Sequence, residues 1–482
     1  MHKAKTHKHV NHMNSVHSSQ KDENASLASI SLPPRPETID DRIRFQIEKL
    51  TEENSSVWTS PDYNRREYLH SFFQYPAMMV PAVQRLVVNI IQASKPGIKN
   101  VVDPFMGSAT SLVACMENGL NCYGQDVNPL AKLIAETRTG PYYVEAIKER
   151  KLHLLDAISK DDAVNIEANF IGLWKWFKTD VAIELSKIVR AIRKEQRLAI
   201  RRFYWVNLAE VVRISSNDRT STFKLHARPI EEINVRNISP IREFKNRLSK
   251  SIEDLERFRD FLAANGRLSK GSYKGIKKIT LQDSTKRIVT PKGQKDFFDL
   301  LVTSPPYGDN KTTVTYGQHS FLPLQWIDLE DIDESAGNGF LKTTMEIDSR
   351  SLGGRIKHLS DLQLESLFIK SRTFEMVYKQ LLFTTNERLK KVMIFIQDLF
   401  SVVEQISYVM KPNSYQVWTI GNRTVGGVEI PNNQILKEFM SHVGCKLVAE
   451  IEREIINKRM ARRNGDSVLM NVEDILIFRK VG

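Results

Sequence analysis

The stretch that most constrains this chain begins at Asn100. Asn100-Val101-Val102-Asp103 has the length and apolar content of a buried strand, and it runs into a tight turn, Pro104-Phe105-Met106-Gly107-Ser108-Ala109-Thr110. A helix over 111–117 follows, then a second strand over 121–126 ending in Asp126. Asn128-Pro129 opens another helix that reaches Thr137. Strand, glycine turn, helix, strand, helix is the unit of an α/β fold, because parallel strands need a long crossover between them. Upstream, the spacing predicts a helix over 38–50 with Thr38 as N-cap. Another is predicted over 82–93, with Val83, Leu86, Val87, Ile90 and Ile91 on one face. Strand-like sequence returns at 279–283, 297–303, 415–422 and 475–478.

Long stretches separate these strands. At about 150 residues per domain, 482 residues allow roughly three domains or one domain with insertions. Residues 1–37 are rich in His, Lys, Ser and Asn and read as a disordered tail. Residues 38–144, 279–310 and 391–482 read as parts of one core. Residues 145–278 read as a basic helical insertion, and 311–390 as a second insertion. No internal repeat is visible. His2, His7, His9, His12 and His17 lie in the tail, but their irregular spacing fits a floppy segment better than a metal site. Cys115, Cys122 and Cys445 lack paired spacing, which argues against a disulfide framework and a zinc cluster. No metal is expected, and a reducing, cytoplasmic setting follows. There is no uninterrupted apolar run of about 18 residues and no apolar leader, so neither a spanning helix nor a secretory signal is expected.

Charge is distributed unevenly. The chain has 70 Lys and Arg against 57 Asp and Glu, a net of +13; from Lys187 to Thr280 the count is 23 against 10, so this stretch carries the whole excess. A concentrated positive field suits a polyanion such as nucleic acid, because phosphate contacts release counterions. A solvated helical surface is the bland alternative.

Two motifs carry chemistry. The small-residue turn after Asp103 presents backbone N–H groups and lets a ligand approach the main chain. Asp126, about twenty residues on, can accept hydrogen bonds from both ribose hydroxyls of a nucleoside cofactor. The second motif is Thr303-Ser304-Pro305-Pro306-Tyr307, directly after an apolar strand. Consecutive prolines fix φ and remove two donors, leaving carbonyls and the Ser304 hydroxyl to accept from an amino group. Tyr307 offers a flat face for a planar base.

Together these residues resemble the S-adenosylmethionine-dependent DNA amino-methyltransferases, particularly their N4-cytosine branch. The resemblance rests on the Asp-Pro-Phe-Met-Gly-Ser turn, Asp126-Val127-Asn128-Pro129, Asp283-Ser284 and, most specifically, Thr303 to Tyr307. Phe73-Gln74-Tyr75-Pro76-Ala77 to Pro81 is similar to the family's cofactor-covering motif, and Gly421-Asn422 to the element after its fifth strand. It spans about 68–140 and 279–310, more weakly 400–480. Ala109 stands where the family's turn usually has a second glycine, and Met78 where a basic residue is usual.

The resemblance implies a Rossmann-like core, a mostly parallel seven-stranded sheet with two largely helical insertions. It implies that Asp103, Pro104, Phe105, Gly107 and Thr110 border the methionine part of S-adenosylmethionine. Asp126 would bind the ribose, Asp283 the adenine amino group, and Tyr75 and Pro76 would cover the pocket. Ser304, Pro305, Pro306 and Tyr307 would hold a cytosine flipped from double-stranded DNA and methylated at N4. A separately encoded restriction endonuclease is an expected partner. Methylation at carbon 5 would need a thiolate, and this loop has no cysteine.

Arg201, Arg202, Arg213, Arg219, Lys224 and Arg228 are the expected nucleic-acid contacts, and Lys458 to Arg463 is a second basic cluster. N6-adenine methylation, RNA amine methylation and a non-catalytic nucleic-acid-binding role remain as alternatives.

Overall fold

The computed structural model describes residues 37–61, 68–355, 362–455 and 472–482. The tail before residue 37 and the Lys458–Arg463 cluster lie outside the described residues.

The chain opens with α1 (Ile39–Glu53), held at its start by a capping box between Thr38 and Asp41, and α2 (Pro81–Ser94). Then come β1 (Asn100–Asp103), α3 (Thr110–Glu117), β2 (Asn121–Asp126) and α4 (Pro129–Arg138), each within a residue of where local pattern predicts it. Six helices follow: α5 (Val144–Ser159), α6 (Leu173–Trp176), α7 (Thr179–Arg193), α8 (Leu198–Ser215), α9 (Ile230–Val235) and α10 (Pro240–Ala264). A two-stranded hairpin, β3 (Leu268–Ser269) and β4 (Ser272–Tyr273), leads back to the sheet at β5 (Lys277–Leu281) and β6 (Phe298–Thr303). Beyond β6 lie α11 (Tyr316–Leu324), α12 (Leu329–Ile332), α13 (Glu346–Arg350), α14 (Leu364–Lys370), α15 (Arg372–Leu381) and the long α16 (Asn386–Val409). The end of the chain supplies β7 (Met410–Ile420), a hairpin of β8 (Arg423–Val425) and β9 (Val428–Ile430), α17 (Asn432–His442), β10 (Cys445–Glu454) and β11 (Val472–Lys480).

Seven strands form one sheet in the order β10-β11-β7-β6-β1-β2-β5. The pairs from β7 across to β5 are parallel, and β11 runs antiparallel between β7 and β10. This is the expected α/β Rossmann-like core. Its strands are apolar on both faces because both are covered. The period-2 alternation sends Val101, Leu300, Val302 and Val417 into one core, shared with α2, α7 and α8. It sends Val102, Leu301 and Trp418 into the other, built largely on α16 and α17. Helix α16 is long and apolar enough to cross a membrane by length and composition, although the sequence offers no unbroken apolar run there; two thirds of its apolar stretch is buried against the sheet.

Candidate active site

The strand order reverses beside β1, whose crossovers lead to β2 on one side while β6 lies on the other. In an open α/β sheet this switch point, at the carboxyl ends of the strands, is where a ligand crevice opens. Val101 pairs with Leu300 and Val102 with Leu301, so the turn after β1 and the loop after β6 are neighbours despite 200 intervening residues. Asp103 joins them. One carboxylate oxygen accepts from Thr303 Oγ1 at 2.7 Å and from Phe105 N at 3.0 Å, and the other accepts from the Ser111 hydroxyl. Asp103 is fully buried, and burial raises its carboxyl to about 6. It stands behind the cleft wall, so its contribution is to lock the two motifs together.

The cleft encloses about 800 Å³ of space, its open mouth included. Tyr75, Pro76, Pro104, Phe105, Gly107, Thr110, Asp126, Asp283, Ser304 and Pro306 all line it. Asp126 accepts from Gly107 N at 3.0 Å through one oxygen and from Asn128 N at 2.9 Å through the other. Each oxygen therefore keeps a lone pair for a ligand. Burial raises this carboxyl to about 6 as well. Gly107 has φ of +46°, and a Cβ there would meet the Tyr75 ring at 3.2 Å, so the turn is closed to larger residues.

Several residues brace this cleft through contacts that local sequence does not show. Asn128 caps α4 through Leu130 N at 3.0 Å. Its amide donates to Tyr75 Oη at 3.1 Å and to Ser320 Oγ at 2.8 Å, tying the covering segment to α11. Arg138 is fully buried and donates to the carbonyls of Ser108 (2.6 Å), Leu69 (3.0 Å) and Phe73 (3.2 Å), fastening the glycine turn to that same segment. Its place in the last turn of a helix was the one available hint. His319 lies between the rings of Phe73 and Phe223, and burial lowers it to about 3, so it is neutral packing. The region after β6 also supplies wall: Tyr316, Ile347, Arg350, Ser351 and Leu352 all face the cleft. Nothing in their local sequence marked them.

In the Ser304–Tyr307 loop, Ser304 Oγ is 3.3 Å from Tyr307 Oη. Ser304 and Pro306 open on the cleft, whereas Pro305 is buried and Tyr307 packs partly against the second core. The Tyr307 carbonyl accepts from Asn432 Nδ2 at 2.9 Å, and the same amide reaches the Gly421 carbonyl at 2.9 Å. This draws the loop after β7 onto the Ser304–Tyr307 loop. Burial raises the Tyr307 phenol well above its ordinary value, so it stays protonated. Asp283 accepts from Thr285 N (3.0 Å) and Oγ1 (2.7 Å), and its other oxygen pairs with Arg355.

The six expected nucleic-acid contacts divide into two groups. Arg201 forms a two-pronged pair with Asp331 at 2.6 and 2.8 Å; Arg202 donates to the Asp331 and Ile332 carbonyls; Arg213 forms a two-pronged pair with Glu210 at 2.7 and 2.9 Å. Carboxylates and carbonyls of the protein take donors from each of these three. Arg219, Lys224 and Arg228 lie on the 217–229 loop, with Arg219 exposed. That loop docks on α11, where Leu225 N donates to Gln318 Oε1 at 3.0 Å and the Phe223 ring sits 5.8 Å from His319. Arg228 pairs with exposed Glu232 at 3.3 Å.

The sheet order and the cleft at its switch point define a Rossmann-like methyltransferase core. A family model described as DNA methylase, N6_N4_Mtase, matches residues 2–137. The type II methyltransferase M.MvaI of Kocuria varians is 31% identical over 463 residues, covering 92% of this chain and 98% of that protein. The type II methyltransferase M.MjaII of Methanocaldococcus jannaschii is 34% identical over 92 residues, 19% of this chain and 17% of that one. Among solved structures, the rRNA methyltransferase aviRa of Streptomyces viridochromogenes has a TM-score of 0.30 at 10% identity, over 84% of this chain and 86% of that one. The chain belongs to the type II DNA methyltransferase family.

Proposed function

We propose that this protein transfers a methyl group from S-adenosylmethionine to the N4 amine of a cytosine extruded from duplex DNA, within a specific sequence. The observation that carries the reading is the opening of Ser304 and Pro306 into the same cleft as Gly107 and Asp126. The cleft fits the cofactor by its donor set. Asp126 has two spare lone pairs for a ribose diol, Gly107 leaves the main chain approachable, and Asp283 and Tyr75 stand at the same walls. S-adenosylmethionine bound there supplies a methyl group on a positively charged sulfur.

The chain's own residues do the rest. An exocyclic amine conjugated with its ring is a poor nucleophile. The Ser304 hydroxyl and the Pro305 carbonyl accept its hydrogens and favour a pyramidal nitrogen with a free lone pair. The prolines contribute no N–H to compete. Tyr307 provides the face on which the base stacks, and Asp103 keeps this loop in register with the glycine turn. Serine rather than an acid or asparagine at the head of the loop supports cytosine over adenine. The 217–229 loop, with Arg219, Lys224 and Arg228, grips the phosphate backbone beside the cleft. A separately encoded endonuclease acting on the same site, and an intracellular, DNA-associated location, complete the reading.

Labelled S-adenosylmethionine and unmodified genomic DNA test it, with the DNA digested to nucleosides afterwards. Label in N4-methylcytosine that collapses with Tyr307→Ala is the expected result. Label in N6-methyladenine would keep the chemistry and overturn the base assignment.

A further inference from the structure

Among the described residues that line the cleft, Asn310 is the one whose side chain holds a buried polar atom without a hydrogen-bond partner, its Oδ1. The residue is 2% exposed. A buried acceptor left unpaired is costly, so such an atom at a cleft wall points to a ligand that completes it. Its neighbours fix its place. Asp309, also buried, accepts from Thr312 N at 3.2 Å and from Arg423 at 3.4 Å, and its carbonyl accepts from Thr313 N at 3.1 Å. The turn that carries Asn310 is therefore pinned shortly beyond Ser304 and Pro306, which open on the same cleft.

Asp348 stands beside Asn310. It is buried; one oxygen accepts from Gly317 N of α11 at 2.9 Å, and the other, Oδ2, has no hydrogen-bond partner. Burial raises its carboxyl to about 6, and the Gly317 N–H, the Asn310 side chain and Lys311 pull it back against Asp309. At neutral pH it is ionised and can only accept. The Asn310 amide therefore turns its nitrogen towards Asp348 and its oxygen away, so what it offers the cleft is an acceptor. The group that meets this acceptor must carry a hydrogen and must reach the wall that Asn310 shares with Ser304 and Pro306. In the proposed reaction that group is the exocyclic amine. Its nitrogen gains positive charge as it attacks the methyl group, and a fixed acceptor steadies that charge without having to reorganise.

We propose that Asn310 Oδ1 accepts a hydrogen bond from the exocyclic amine of the target base, and that Asp348 is the positioning residue that keeps the amide in that orientation. The proposal rests on the reading of the substrate as a DNA base methylated at its amine. Asn310 joins the Ser304 hydroxyl and the Pro305 carbonyl around two amine hydrogens, sharing one of them. The test uses the full chain, labelled S-adenosylmethionine and unmodified genomic DNA, comparing wild type with Asn310→Leu and Asp348→Asn. Asn310→Leu keeps the size and removes the acceptor. It is expected to lower kcat at saturating cofactor about 10- to 100-fold, the size of one lost hydrogen bond to a group that becomes charged. The cofactor Kd, titrated without DNA, should stay within twofold. Asp348→Asn keeps an acceptor for Gly317 N but no longer fixes which end of the Asn310 amide faces the cleft, so it should give a smaller loss in the same constant. If kcat stays within twofold of wild type in both variants, the contact is wrong. A loss that appears in cofactor Kd and vanishes at saturating cofactor would equally overturn it and assign Asn310 to the cofactor. If Asn310→Leu fails to fold, Asp348→Asn decides alone, by the same two constants. A wild type that labels no DNA would defeat the substrate reading itself, and this contact with it.

Discussion

Asp126 shows how burial sets a working range. Its carboxyl is raised to about 6 by desolvation, and the backbone N–H groups of Asn128, Gly107 and Val127 only partly offset that. In the proposed function the ionised form offers acceptors to a ribose diol, and protonation removes them. Cofactor affinity should therefore be full above pH 6 and fall as pH drops below it, approaching tenfold per unit. Isothermal titration between pH 5 and 8 checks the curve. Asp126→Asn should bind about 10- to 100-fold more weakly at neutral pH and lose that slope. Any slope left would report Asp103 or Asp348, both of which burial also raises to about 6. Asp126 was legible as a candidate because an acid closing the second strand has a chemical use, and it lines the cleft. Asp103 was legible as an acid at a strand end, but not as a brace, since its partners Ser111 and Thr303 are eight and 200 positions away.

At the scale of elements, the basic region separates charge that holds the fold from charge that faces outward. Arg213 and Glu210 are nearly buried, and removing Arg213 leaves Glu210 with only the longer Arg247 pair at 3.8 Å. Arg213→Ala should cost about 3–5 kcal/mol in denaturant unfolding and leave the salt slope of DNA binding as it was. Arg219→Ala should do the reverse, with unchanged stability and a slope of log K against log salt lower by about one. Equal slopes for the two variants would contradict this division. Sequence pattern reached the helices of this region because apolar periodicity is local. It could not distinguish Arg201 from Arg219, because Asp331, which neutralises the first, lies 130 residues away.

Across the whole molecule, the helices between β2 and β5 share a continuous core with the sheet: Phe203, Leu208 and Leu255 belong to the same cluster as Val101 and Leu300. Differential scanning calorimetry should therefore show one cooperative transition, with no separate melting of residues 144–264. Two resolved transitions would mean that the shared core contributes little. The long-range ties point the same way. Asp40 of α1 accepts from Tyr415 Oη at 2.7 Å on β7 and from Arg479 at 3.0 and 3.1 Å on β11, binding the start of the described chain to its end.

What the amino-acid sequence determined by itself is what short-range physics determines. The apolar run before Asp103, the Thr38 cap, the glycine turn and the donor-free Pro305-Pro306 pair each act within a few residues, and each stands where local pattern places it. The tertiary structure alone decided which of these meet. It set β6 beside β1, brought Tyr316, Arg350 and Asn432 to the cleft and its loop, and consumed three arginines in internal pairs while leaving Arg219 outside. The reason is physical: a hydrogen bond or an ion pair depends on separation in space, and that separation exists only once the chain has returned to the switch point of its sheet.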